Sequence, residues 1–491
     1  MKRLVLFLLC APHALVAQTI FSGNVQNDSG DKIFISHPIE GHFNTTVQEV
    51  GLDQQGSFSL SLPMTTAGFI YFRFNGYSGR VFAEPDSKEA ISLDKTAPDN
   101  TLTFSGEHAK ENTFLHSLKR EKSINGRASS PLARELLKDS VPETVLQKVL
   151  QLRDRELKEL KAFAQKNRKS KAFAQSVEQD IRYYYLAVFG ELAVNQYMHK
   201  ERGNPSFFNA AWVDTWTKAM HLEPISNDKA LASSNYDLFI RGYFDWYQDM
   251  YLKQMPQDVD SKRGEHFIIK EKQMKESLTG EALEISLAAM IRLGAIQKRY
   301  EPALVELYNR FAVEYPNSPY TPHLKEVVDP IVAYWEAQKK ELAEGIKFPS
   351  NYEGINSLQE LLAPLKGKVV FVDLWATWCG PCKEEFRFSE QLQQFSRGKD
   401  IELLYVSMDK PERESSWKEM IKFYKLKGHH VRANEQLEKE ILEKFGKNGV
   451  LPIPRYAIVD RKGNIAVLEA KEPSTTKELY EQLELYMRNN E

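Results

Sequence analysis

With 491 residues the chain is long enough for two to four domains of about 100–200 residues each. Hydrophobic residues make up 42%, charged residues 27% and aromatics 11%, which excludes a disordered or fibrous chain. The 65 basic and 67 acidic residues leave a net charge of −2, which argues against nucleic-acid binding by bulk electrostatics.

The chain opens with Lys2 and Arg3, an apolar run Leu4–Leu9 and the small-residue stretch Ala14-Leu15-Val16-Ala17. That order predicts a secretory signal peptide over residues 1–17, cleaved after Ala17. The run is too short to span a bilayer, so an integral membrane protein is not expected. Leu9 stands before Cys10 where a lipoprotein would carry a small residue, which argues against lipidation there. Cleavage changes the charge sum to 63 basic against 67 acidic residues, a net −4, and reduces three cysteines to Cys379 and Cys382. A chain read as exported to the periplasm or cell envelope, whose whole thiol content is one Cys-x-x-Cys pair, has no structural disulfide framework to account for it. A redox role follows.

Residues 18–104 read as a small all-β domain, an antiparallel sandwich or barrel. Thr19–Val25, Lys32–Ser36, Ser57–Leu62, Gly68–Phe74 and Ala90–Leu93 have strand-type patterns, separated by turns such as Asn27–Gly30 and Asp53–Gly56. Residues 105–345 read as an all-α domain of roughly ten helices, because apolar residues recur there at helical spacing. Leu304–Tyr320 resembles the end of one tetratricopeptide-type repeat, in a single copy and without an array. The aromatic runs Tyr183–Tyr185 and Tyr243–Tyr247 are assigned to helix packing rather than to a partner groove.

Residues 346–491 alternate strands and helices, which predicts an α/β unit with buried parallel strands. Lys368–Leu374, Ile401–Ser407, Tyr456–Val459 and Ile465–Leu468 are the strands. Lys383–Gln394, Trp417–Lys425 and a last segment near Lys477–Arg488 are the helices.

The chemistry lies in Val372-Asp373-Leu374-Trp375-Ala376-Thr377-Trp378-Cys379-Gly380-Pro381-Cys382-Lys383. A buried strand ends near Trp375 and a helix begins at Cys379, where free backbone N–H groups stabilise an anion. Cys379 is therefore the expected nucleophile. Lowering its pKa from about 8.5 towards roughly 7 corresponds to about 2 kcal/mol of thiolate stabilisation. Cys382, on the same first turn, can resolve the mixed disulfide. Gly380-Pro381 suits a first turn, since Pro is tolerated there and Gly leaves room for a substrate backbone. The dithiol is itself the redox group, so no cofactor and no metal is expected. A zinc site would have to recruit His429 and His430, a poor second half without further cysteines.

This string resembles the active-site signature of thioredoxin-fold proteins. Cys382-Lys383-Glu384-Glu385-Phe386 narrows the likeness to the TlpA/ResA-like exported disulfide reductases. The resemblance covers roughly Ile346–Glu491, and it implies roles for five further residues. Asp373, six residues before Cys379, corresponds to the buried carboxylate that exchanges a proton with the resolving cysteine. A carboxylate on an apolar strand should have a raised pKa. Glu385 corresponds to the group's active-site glutamate, so the chain combines both carboxylates. Pro454 corresponds to the cis-proline facing the cysteines, with Pro452 as a nearby rival; Ile453 is then the residue that contacts the substrate strand. Trp378 is the exposed aromatic beside the nucleophile. The chain departs from the family at Arg387, which stands where a helix-kinking proline is common, and at Arg455, which follows the cis-proline in place of threonine. Two arginines near the site would favour a thiolate or acidic substrates, or would simply be solvated. Phe104-Ser105-Gly106 and Asn112 resemble, more loosely, the leader domains of large envelope members.

The resemblance implies a disulfide reductase acting on disulfide-containing envelope proteins and supplied with electrons by a membrane partner. Three other readings compete: an oxidase or isomerase running the same dithiol chemistry in the other direction, an envelope binding or scaffold protein whose C-terminal domain is a docking module, and a thiol peroxidase. The peroxidase would need a Thr-x-x-Cys setting, whereas Thr377 stands only two residues before Cys379.

Overall fold

The computed structural model describes residues 18–27, 31–37, 39, 41, 43, 47–118, 131–167, 171–203 and 208–488. The expected signal peptide, Cys10 included, lies outside the described residues. The chain packs as two compact units. One takes the chain up to Leu293 together with Ala303–Val327; the other takes Gly294–Pro302 and everything from Val328 onward. The second unit thus recruits two pieces of chain from upstream of Ile346, where the change in hydrophobic period had suggested a boundary. Spatial packing and sequence period diverge there because a helix, Thr321–Gln338, runs from one unit into the other.

In the first unit eight strands form two four-stranded sheets: β1 (Gln18–Gln26), β2 (Lys32–Ser36), β3 (Gln48–Gly51), β4 (Ser57–Pro63), β5 (Gly68–Phe74), β6 (Tyr77–Ala83), β7 (Lys88–Asp94) and β8 (Thr103–Gly106). The sheet orders are β4-β1-β7-β8 and β3-β2-β5-β6. Alternating residues such as Phe21, Ile33, Ile35, Leu62, Ile70 and Phe72 fill one apolar core. Most pairs are antiparallel, but β1 and β7 run parallel, because the chain leaves the first sheet for the second and returns to it in the same direction.

The loosely recognised leader motif has a physical basis here. A side chain at Gly106, where φ is +110°, would put its Cβ 2.1 Å from the Lys88 carbonyl oxygen, so only glycine fits. Asn112 is buried; its Nδ2 donates to the Phe82 carbonyl (3.1 Å) and its Oδ1 accepts from the Phe82 N–H (2.7 Å), acting as one residue of a neighbouring strand on β6.

The helices that follow are long and amphipathic, among them Pro142–Lys166 and Lys171–Glu201. Most of both aromatic runs packs inward: Tyr183, Tyr184, Tyr185, Tyr243, Phe244 and Tyr247 are buried, and Tyr185 donates to Glu156 at 2.8 Å, whereas Trp246 is 37% exposed. Among the described residues no helix is long and apolar enough to cross a membrane.

The second unit is built on one six-stranded sheet: β9 (Ile346–Lys347), β10 (Val369–Trp375), β11 (Ile401–Ser407), β12 (Gly428–Arg432), β13 (Arg455–Val459) and β14 (Ile465–Val467), in the order β14-β13-β10-β11-β12-β9. β10, β11, β12 and β9 pair in parallel, whereas β13 runs antiparallel to β10 and β14 antiparallel to β13. The expectation of parallel strands therefore holds for one side of the sheet. Every residue of β10 is buried, as a strand covered on both faces requires.

Candidate active site

β10 delivers the site. Beyond Trp375 the chain turns through Ala376-Thr377-Trp378, with the Cys379 N–H donating to the Ala376 carbonyl at 3.0 Å, and enters the short helix Gly380–Glu385. Cys379 is its N-cap, and its Sγ accepts the Cys382 N–H at 3.1 Å. The two sulfurs are joined in a disulfide. Both cysteines are buried, while Trp378 beside them is 58% exposed, a large apolar surface left open next to Cys379.

Asp373 points from the middle of β10 into the interior at 2% exposure, and its Oδ1 has no hydrogen-bond partner. Burial, with the Glu385 carboxylate as a second cause, raises its pKa well above the ordinary carboxylate value. Its cross-strand neighbours are Tyr405 on β11 and Tyr456 on β13. Glu385 is half-buried and accepts the Ser474 N–H at 2.9 Å, so it ties the active-site helix to the chain beyond β14.

The Ile453–Pro454 peptide is cis, the one such bond among the described residues; the rival Pro452 is exposed and trans. The last register pair between β10 and β13 is Leu374 with Arg455. Ile453 and Pro454 therefore leave the sheet at the edge from which the Cys379 helix starts. Both arginines have carboxylate partners: the exposed Arg387 pairs with Glu384 at 3.0 Å and the largely buried Arg455 with Glu469 at 2.9 Å. His429 sits 3.1 Å from Glu402 and His430 accompanies the Leu426 carbonyl at 2.7 Å; neither reaches the cysteines, which are bonded to each other.

Two contributions went unread in the sequence. The buried Asp409 carboxylate accepts from the Thr377 N–H (2.8 Å), the Thr377 hydroxyl (2.7 Å) and the Ser407 hydroxyl (2.7 Å), clamping the loop that carries Trp378. Its signal was available: Asp409 lies just beyond the carboxyl end of a parallel strand next to β10, the edge where α/β sites form. Lys383 is buried, and the segment Lys298–Glu301 packs beside it. That pairing had no local signal, because its halves lie 85 residues apart.

Against this geometry the comparisons are informative. A Redoxin family model matches residues 343–483. The chain is 31% identical over 124 residues to the thiol-disulfide oxidoreductase ResA of Bacillus thuringiensis subsp. konkukian, a match covering 25% of this chain and 65% of that protein. The C-terminal unit contains a TlpA/ResA-like thioredoxin-fold domain. The Bacillus subtilis ResA is 26% identical to this domain over 130 residues, covering 26% of this chain and 68% of ResA. The chain spans just under two thirds of the length of the first of these relatives. Among solved structures, the thioredoxin domain of a thiol-disulfide oxidoreductase from Bacteroides vulgatus aligns with 26% of this chain and 84% of its own at 27% identity, with a TM-score of 0.23.

Proposed function

We propose that this protein is an exported thiol-disulfide oxidoreductase working as a reductase of disulfides in envelope proteins. One observation carries the reading: Cys379 caps the helix that follows β10 and is bonded to Cys382, with a buried, unpartnered Asp373 in the same strand. Reduced, Cys379 is a thiolate that attacks one sulfur of a substrate disulfide. A bond forms between Cys379 and that sulfur, and the other substrate sulfur leaves as a thiolate. Cys382 then transfers its proton to Asp373, whose raised pKa makes it a better proton acceptor than an ordinary carboxylate, and attacks the Cys379 sulfur. The second substrate sulfur leaves, takes up a proton, and the Cys379–Cys382 disulfide forms. The substrate gains two electrons, which a membrane electron donor must return to the protein. Trp378, Ile453 and Pro454 form the surface against which the substrate strand lies.

Trapping tests the assignment of roles. Cys382→Ser should accumulate mixed disulfides with envelope proteins through Cys379, visible by non-reducing electrophoresis and mass spectrometry, whereas Cys379→Ser should accumulate none. Equal trapping by both variants would overturn the order of attack. The absence of any mixed disulfide, with a pair that never cycles, would favour a docking module instead.

A further inference from the structure

Lys383 follows Cys382 directly, and a lysine on the first turn of a helix is ordinarily solvated. Here it is 1% exposed and its ammonium donates to the Lys298 carbonyl at 2.7 Å. Lys298 belongs to the loop between helices Gly280–Ile296 and Ala303–Glu314, far upstream of the ResA-like domain but packed within the second unit. The Lys298 side chain pairs with Glu384, the next residue of the active-site helix. Tyr300 shares a 2.5 Å hydrogen bond between its hydroxyl and that of Tyr424, its carbonyl accepts from Trp335 Nε1 at 2.8 Å, and its ring stacks on Tyr334 at 4.4 Å. Lys298 and Tyr300 both hold left-handed backbone conformations, φ +52° and +60°, which persist in non-glycine residues only where the surroundings impose them. Glu301 is 2% exposed with Oε2 unpartnered.

We propose that the loop Gln297–Pro302 is a positioning element of the redox site, fixing Lys383 and with it the charge and the first helical turn beside Cys382. The inference rests on the dithiol reading of Cys379 and Cys382. Lys383 touches no substrate and acts through its neighbour. A disulfide carries no charge, whereas the reduced pair carries a thiolate, so a fixed ammonium on the residue that follows Cys382 favours the reduced form. Burial is the main cause that brings the Lys383 pKa down to about 8, with Lys298 and Arg299 acting in the same direction and Glu301 and Asp409 opposing them. The ammonium is therefore mostly charged at pH 7.5 and largely discharged at pH 9.

The test is the thiol–disulfide equilibrium of the full chain in graded dithiothreitol buffers, read by thiol trapping and mass spectrometry at pH 7.5 and pH 9. At pH 7.5 Lys383→Met should shift the equilibrium about threefold towards the disulfide, or about 14 mV at 29.6 mV per tenfold. The difference from wild type should shrink at pH 9, and Lys383→Arg should restore the wild-type value at pH 7.5. Tyr300→Phe, which loosens the loop without touching Lys383, should shift the equilibrium in the same direction and remains readable if Lys383→Met does not fold. A wild type that cycles normally while Lys383→Met and Tyr300→Phe match it at both pH values would overturn this inference alone. A wild type that never cycles would overturn the dithiol reading beneath it.

Discussion

Asp373 sits between Tyr405 and Tyr456 with one oxygen unpartnered, and its raised pKa makes stability depend on pH in a defined direction. Because the folded value lies above the unfolded one, the folded state binds the extra proton between the two. The group's contribution is fully present below the ordinary carboxylate range and is lost as pH rises through the raised value. Asp373→Asn should therefore flatten the pH dependence of the denaturation midpoint of the oxidised protein and raise that midpoint at neutral pH. The same variant should slow release of the mixed disulfide, because the proton acceptor for Cys382 is gone. An unchanged pH profile would remove Asp373 from that role. Asp409 makes the opposite kind of prediction. Its carboxylate satisfies three buried donors, so Asp409→Ala should cost on the order of 3 kcal/mol, measured by urea denaturation.

At the scale of elements, the active-site helix is short, and its position depends on what grips it: the capping Cys379, Glu385 on Ser474, and the loop Gln297–Pro302. The aromatic cluster behind that loop joins Tyr300, Tyr334, Phe423 and Tyr424. Tyr334→Ala should destabilise the second unit by about 3–5 kcal/mol, and hydrogen exchange in helix Glu414–Tyr424 should accelerate accordingly. Uniform protection in that helix would contradict the packing.

Much of this architecture was legible in local pattern. β11 matches the apolar run Ile401–Ser407 residue for residue, and the last helix matches Lys477–Arg488. β12 escaped notice because Gly428-His429-His430-Val431-Arg432 breaks an apolar run. Yet His430 is fully buried, with its ring stacked on Tyr405 at 4.9 Å. β6 was obscured by Gly79 and Arg80, whose guanidinium is paired with Asp180 of a distant helix. The cysteines, Asp373 and Pro454 were readable because spacing along one segment determines their relation. Lys383 with Lys298, and Thr377 with Asp409, were not, because only tertiary packing brings those residues together.

For the whole molecule, the family likeness covers about a quarter of the chain, and the structure extends the redox unit beyond it. Gly294–Pro302 and Val328–Gln338 belong to the same compact unit as the thioredoxin-type sheet although they precede it in sequence. A fragment beginning at Ile346 should therefore unfold at lower denaturant than the same unit in the full chain. Equal midpoints would show that the upstream pieces contribute nothing. The β sandwich and long helices that make up the rest are proposed to select clients. Comparing a generic disulfide with envelope substrates, with and without the residues before Ile346, separates that role from basal chemistry; loss of activity on both would instead reflect damage to the redox unit.

The central claim is that Cys379 and Cys382 form a reducing dithiol. Its most direct test is the reduction potential of the pair in the mature protein, equilibrated in graded glutathione or dithiothreitol buffers, thiol-trapped and weighed. A value near that of thioredoxin, about −270 mV, is the predicted result. A value near that of DsbA, about −120 mV, or a pair that never cycles, would contradict it.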